Sequence, residues 1–347
     1  MLNLLLTVPA GAMRDQYFPA PLLTRLTALG NLTVNPHTRQ YTREELCALL
    51  PETDIVLTHW GSGKYDAELL SHAPRLKLLA HCAGTVAHIV CEEFFQRGIP
   101  VLSANSVMAR YVAEGALCYM LSGLRSVNAY DRNMRCGGWC GVGGDGACPA
   151  VLSLIGAAVG MIGLGSVGRH LLSMLRPFSV RVKVCDPYLL EGALDAWDFA
   201  ESASFSDAMS CNVVTIHASQ TPETYHMINA AALALMPNDA LLVNTARGAI
   251  VDLDALIAEA QSGRIRAVLD IYETESVPQK AELLQLTKNV TLQPHLAGMP
   301  SGASMTEEIL CDIERFLRGE APQLCVSHTQ FLHMTQEFLL DTISKKQ

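Results

Sequence analysis

The stretch from Val159 to His170 constrains this chain more than any other. It reads Val-Gly-Met-Ile-Gly-Leu-Gly-Ser-Val-Gly-Arg-His, with glycines at 160, 163, 165 and 168. Ahead of it, Ile155 to Ile162 is apolar enough for a buried strand, and His170 to Leu175 carries helical spacing. Between the two, Gly163 suits a tight turn, and Gly165 lets the backbone approach a pyrophosphate where Ser166 and Val167 open the helix. Gly168 permits helix and strand to pack closely. The helix N-terminus offers N–H groups and a positive dipole end to a phosphate. Val180 to Cys185 predicts the next strand, and Asp186 at its end is placed to accept both ribose hydroxyls of NAD. Asp186-Pro187 is also a turn-forming pair, and the two roles are compatible. A carboxylate here repels a 2′-phosphate, so NAD is expected over NADP. Arg181 and Lys183 come before the acid in the strand and leave NADP as the minority reading.

The bulk properties narrow the partners. A length of 347 residues suggests about two domains, and half the chain is apolar, enough for sizeable cores. A formal net charge of −9 with no basic run argues against nucleic acid. Of the eleven cysteines, Cys82, Cys118, Cys185 and Cys211 lie in apolar runs and read as small core residues of a reducing compartment. Cys136, Cys140 and Cys148 crowd a glycine-rich loop without a fourth ligand at zinc spacing, so no metal site is expected. Leu2 to Ala12 lacks the basic start of a signal peptide and reads as a first strand. No apolar run reaches the length of a membrane span, and a cytoplasmic chain is expected.

Strand-like and helix-like segments alternate from the start. Leu2 to Val8, Asp54 to Thr58, Leu76 to His81 and Pro100 to Leu102 read as strands. Arg43 to Leu50, Ala67 to His72 and Val90 to Gln96 read as helices, which together predict a parallel α/β sheet. A long apolar helix pattern, Val107 to Val127, leads into the glycine-rich loop. After the dinucleotide motif, Cys211 to His217, Ala240 to Asn244, Ala267 to Tyr272 and Val290 to Gln293 read as buried strands. Helices at Asn229 to Leu235, Leu253 to Ser262 and Ser304 to Leu317 complete the pattern. The glycine motif lies mid-chain, so a Rossmann doubly wound cofactor domain, residues 108–299, is expected as an insertion. The host is a flavodoxin-like parallel-sheet substrate domain, residues 1–107 with 300–347.

Three polar sites follow strands, where ligands gather in such sheets. Asn244-Thr245-Ala246-Arg247-Gly248 places a permanently charged fork after a buried strand, suited to a bidentate carboxylate grip. The bland alternative is an exposed loop arginine in an ion pair. Asp270 to Glu275 sets two acids after another buried strand, with Glu273 between them. Asp270 is placed for a nicotinamide amide, although either acid alone reads as a solvated loop residue. Gln293-Pro294-His295-Leu296-Ala297-Gly298 gives a histidine with small neighbours, which alone reads equally as a satisfied core group. Together the sites suit reduction of a 2-keto acid, which needs a carboxylate anchor and a group that donates a proton near neutrality.

These motifs resemble those of the D-isomer-specific 2-hydroxyacid dehydrogenase family, over about Leu46 to Glu320. The Gly160–Gly168 loop is similar to the family's dinucleotide loop, and Asn244–Gly248 to its arginine signature. The resemblance implies that Arg247 binds substrate, that His295 is the catalytic acid/base, and that Glu275 pairs with it. It implies cofactor contacts from Thr245, Ala246, Asp270, Ala297, Gly298 and the His217-Ala218 wall. It also implies that Ala83, Gly84 and Thr85 hold the substrate carboxylate. Trp60-Gly61-Ser62-Gly63 and His81 are further pocket candidates. The chain departs from the family pattern at Ser276 after the acid, at Ser219 in the cofactor-wall loop, and at Val86 after the substrate loop. Substrate identity is the property these changes affect. The expected function is NAD-dependent interconversion of a small 2-keto acid and a D-2-hydroxy acid, with a homodimer implied. The alternative is a nucleotide-sensing scaffold of the kind the family's corepressor relatives form.

Overall fold

The computed structural model describes residues 1–139, 149–274, 281–286, 288–332 and 334. The chain divides into two compact units, Met1–Met108 with Ser301–Gln347, and Ala109–Pro300. Both are built on wholly parallel sheets. In the first unit, β1 (Leu2–Leu6), β2 (Gly30–Val34), β3 (Ile55–Thr58), β4 (Leu78–His81) and β5 (Val101–Ser103) lie in the order β2-β1-β3-β4-β5. That is the flavodoxin-like order. Side chains alternate across the sheet. Leu4, Leu6, Ile55, Leu57, Leu78 and Ala80 pack on one face with Leu22, Leu26, Met305, Ile309 and Ile313. Leu5, Val56, Leu79 and Val101 fill the other with Leu46, Leu69 and Phe94. Cover on both faces is why these strands read as unbroken apolar runs.

The second unit carries β6 (Ala158–Ile162), β7 (Arg181–Cys185), β8 (Ala200–Ser202), β9 (Val213–Ile216), β10 (Leu241–Asn244), β11 (Arg266–Leu269) and β12 (Val290–Leu292). Their order is β12-β11-β10-β9-β6-β7-β8, so the winding reverses between β6 and β9. The carboxyl end of the sheet at such a reversal forms a crevice, and the glycine motif follows β6 into it.

The structure corrects three expectations. β6 starts at Ala158 rather than Ile155, because Gly156 turns through a φ of +73° and leaves Ile155 on the surface. The helix expected over 107–127 is Asn105–Leu124, followed by a second helix, Val127–Arg135. Ser126, at a φ of 51°, breaks them, and its hydroxyl accepts from buried Arg266 at 3.1 Å. Cys118 is exposed rather than a core residue; Cys185 is half-buried, while Cys82 and Cys211 are buried as expected. Cys136 is exposed, and Cys140 and Cys148 lie outside the described residues. β2, β8 and the helices Ala12–Tyr17 and Ala20–Leu29 have no counterpart in the sequence reading. Among the described residues no helix is long and apolar enough to cross a membrane.

Candidate active site

The glycine turn is set by β6 and β9 lying side by side. Gly163 takes a φ of +89°, and a Cβ there would stand 2.7 Å from the Ala218 nitrogen and 2.9 Å from the His217 carbonyl carbon. Only a residue without a side chain lets the turn rest against the 217–218 wall. Gly165 caps the Ser166–Leu175 helix without a side-chain hydrogen bond, and a Cβ on it would enter open space. The helix therefore begins with N–H groups that no side chain caps, those of Ser166 and Val167 first among them, while Gly168 is buried. Asp186 steadies the turn: Leu164 N donates to its Oδ2 at 2.7 Å and Tyr188 N to its Oδ1 at 2.8 Å. The sequence allows Asp186 both a ligand and a turn role, and these two bonds are the turn role. Each carboxylate oxygen keeps a further lone pair for a hydroxyl donor.

Two more groups along β9 and β10 match a dinucleotide. His217 is held by Thr215 Oγ1 at 2.9 Å from its Nε2, and burial pushes its pKa down to about 4. Its ring is neutral at working pH. Thr245, straight after β10, buries a hydroxyl with no hydrogen-bond partner among the described residues. A buried hydroxyl left unpaired destabilises by about 1–3 kcal/mol, so it fits a partner supplied by a ligand. The open cradle at Gly165, the uncapped helix start, the spare lone pairs of Asp186 and the Thr245 hydroxyl together fit NAD.

The loop after β10 is tied by a residue the sequence reading passed over. Buried Asn244 accepts from Ala246 N at 3.0 Å and donates to the Arg247 carbonyl at 2.9 Å. Arg247 is half-buried, and its Nη1 donates to the Ala246 carbonyl at 2.7 Å. Gly248 lies flat on the next loop: a Cβ would fall 2.0 Å from the Tyr272 carbonyl carbon. The arginine loop and the acid loop are thus pressed together backbone to backbone.

Asp270 follows β11 and organises the histidine. It is 1% exposed, and its carboxylate accepts from Leu296 N at 2.9 Å, Ala297 N at 3.0 Å and Tyr119 Oη at 2.9 Å. Its main-chain carbonyl accepts from His295 N at 2.7 Å. His295 is exposed and takes a φ of 57°, a left-handed conformation costly for a residue with a Cβ. Such strain persists where surrounding bonds determine the backbone, as Asp270 does here. Tyr272 ties the ends of β11 and β12 together, donating toward the carbonyls of Leu269 at 3.2 Å and Gln293 at 3.0 Å. Glu273 instead takes a bond from Tyr225 Oη at 3.3 Å. Glu275 lies outside the described residues. Ala297 is buried and Gly298 half-buried behind the histidine.

In the first unit, Ala83, Gly84 and Thr85 follow the carboxyl end of β4. The bonds that fix this loop run through its oxygens. Ser103 Oγ donates to the carbonyls of Ala83 at 3.5 Å and Gly84 at 2.5 Å, and Ala87 N to Thr85 Oγ1 at 3.3 Å. His59 and His81 lie beside it at the ends of β3 and β4, both wholly buried. His81 Nδ1 meets Thr58 Oγ1 at 2.8 Å, while its Nε2 and both ring nitrogens of His59 have no hydrogen-bond partner among the described residues.

A doubly wound sheet with a glycine turn fitted to NAD defines a dinucleotide-binding protein. The sequence profile described as "D-isomer specific 2-hydroxyacid dehydrogenase, NAD binding domain" matches residues 117–297. A glyoxylate reductase of Thermofilum pendens is 32% identical over 295 residues, which make up 82% of this chain and 84% of that one. A D-3-phosphoglycerate dehydrogenase of Methanocaldococcus jannaschii is 27% identical over 82% of this chain, which spans about half (54%) of that relative. A phosphoglycerate oxidoreductase from Rhizobium etli superposes with a TM-score of 0.77 at 25% identity, covering 93% of this chain and 98% of its own. The chain belongs to the D-isomer specific 2-hydroxyacid dehydrogenase family, oxidoreductases that act on CH–OH donors.

Proposed function

We propose that this protein uses NAD to interconvert a small 2-keto acid and a D-2-hydroxy acid, with His295 as acid/base, Glu275 as its partner and Arg247 as carboxylate anchor. The observation that carries this reading is the strained backbone of His295, held by Asp270 on a strand adjacent to the one that presents Arg247. When bound, NADH would supply the hydride that reduces the keto acid. Protonation of the carbonyl oxygen falls to His295, an imidazole suited to give a proton in one direction and take it back in the other. A carboxylate beside it, the role assigned to Glu275, favours the imidazolium. The fork of Arg247 grips the substrate carboxylate and fixes the face that C2 presents, which is orientation supplied before chemistry. The name of the Thermofilum pendens relative makes glyoxylate the first substrate to try.

The test is NADH oxidation with glyoxylate, hydroxypyruvate, pyruvate and bulkier 2-keto acids, repeated with NADPH. His295→Ala should lower kcat by about a hundredfold or more, within the usual range for losing a general acid, and leave KM nearly unchanged. Arg247→Ala should raise KM and lower kcat together. An active His295→Ala enzyme with the wild-type pH profile refutes the assignment.

A further inference from the structure

The Asn105–Leu124 helix meets the His295 loop at two points one turn apart. At Gly115 a Cβ would stand 2.9 Å from both the Cα and the Cβ of Ala297 and 3.1 Å from its carbonyl oxygen. The helix and the loop are therefore in backbone contact. Tyr119, four residues on and on the same helix face, donates its hydroxyl to Asp270 Oδ1 at 2.9 Å. We infer that Tyr119 is a positioning residue for His295, acting through Asp270, while Gly115 sets how closely the loop approaches the helix. The inference rests on the reading of His295 as the proton donor.

The reasoning follows from what each bond connects. Of the three donors to the Asp270 carboxylate among the described residues, Leu296 N and Ala297 N belong to the histidine loop itself. They join the carboxylate to the loop, while the Asp270 main-chain N–H donates to the Asn244 carbonyl at 3.0 Å and ties its backbone to β10. The third donor comes from a long helix whose Ala113, Ala116 and Met120 are packed in the sheet's core, and it pins Asp270 to a rigid frame. A carboxylate this deeply buried depends on its hydrogen bonds for compensation of its charge. Burial and the neighbouring charge of Asp270 push the Tyr119 phenol well above its ordinary value, so it stays a donor across the working range.

Tyr119→Phe removes the donor and keeps the ring; Gly115→Ala inserts the forbidden Cβ. Both are assayed beside His295→Ala, with glyoxylate and hydroxypyruvate as substrates and NADH affinity read by fluorescence titration. A misplacement of the proton donor predicts a fall in kcat of about five- to fiftyfold in each variant, with KM and NADH affinity within about twofold. Wild-type kcat in both variants overturns the inference. So does a parallel loss of kcat and NADH affinity, since that is general disturbance of the fold. If Tyr119→Phe fails to fold, Gly115→Ala decides alone by its split between kcat and NADH affinity. Should His295→Ala keep full activity, the function proposed above fails. If it is inactive while the other two variants behave as wild type, only the positioning role fails.

Discussion

At Thr245 a single hydroxyl separates the stability of the empty protein from its affinity for cofactor. The group is buried and unpaired, and valine has nearly its shape without the oxygen. Thr245→Val should therefore stabilise the protein alone by about 1 kcal/mol, the low end for removing an unsatisfied buried polar group. The same change should weaken NADH binding several-fold. Urea midpoints and a fluorescence titration measure the two effects, and a destabilised variant with unchanged affinity would show that the hydroxyl serves the fold alone. Asp186 and Asp270 teach a related lesson. Each acid stood out in the sequence as a ligand contact, and each is found holding the turn or loop that presents the site.

Among the elements, the Arg43–Leu49 helix shows how much local structure one short signal specifies. Thr42 Oγ1 accepts from Glu45 N at 3.3 Å while Glu45 Oε2 takes the Thr42 N–H at 2.7 Å, a reciprocal cap. Thr42→Ala should destabilise the protein by about 1 kcal/mol, a loss that thermal or urea unfolding will register. Strands buried on both faces were as legible as this helix, because runs such as Leu241 to Asn244 admit little else. Gly30–Val34 and Ala200–Ser202 were not, since both are sheet edges whose residues are partly exposed and carry no apolar run. The break at Ser126 escaped notice because serine gives no warning of a left-handed backbone. Within the site, the glycine motif, Arg247 and His295 were visible as residue types. Asn244 and Tyr119 were not singled out, because their roles depend on partners in other elements: the loop folded over β10 for one, a carboxylate 151 positions away for the other. A polar tip within an apolar helix is the one sign Tyr119 offers in advance.

Across the whole molecule, buried neutral histidines make the fold sensitive to acid. Burial pushes His59 down to about 4, His81 to about 3 and His217 to about 4. An unfolded chain takes up protons on these rings near pH 6.5, whereas the folded one resists until far lower. Their contribution to stability is thus full above about pH 6.5 and is lost as the pH falls from there toward about 4. Each ring amounts to about 1.4 kcal/mol by pH 5.5. Urea midpoints at pH 7.5 and 5.5 should differ accordingly, and replacing His59 with phenylalanine should flatten the dependence. An identical midpoint at both values would mean these rings are charged, or wetted, in the native protein.

The helix Gly302–Leu317 supplies Met305, Ile309, Leu310 and Ile313 to a core whose other walls come from the first hundred or so residues. During synthesis those early strands leave the ribosome without one side of their shelter. The second unit is translated in between, a wait on the order of tens of seconds at about 5–20 residues per second. The nucleotide-binding unit can therefore mature first, and the amino-terminal sheet must spend that interval with oily surface uncovered, open to chaperones and to clumping alike.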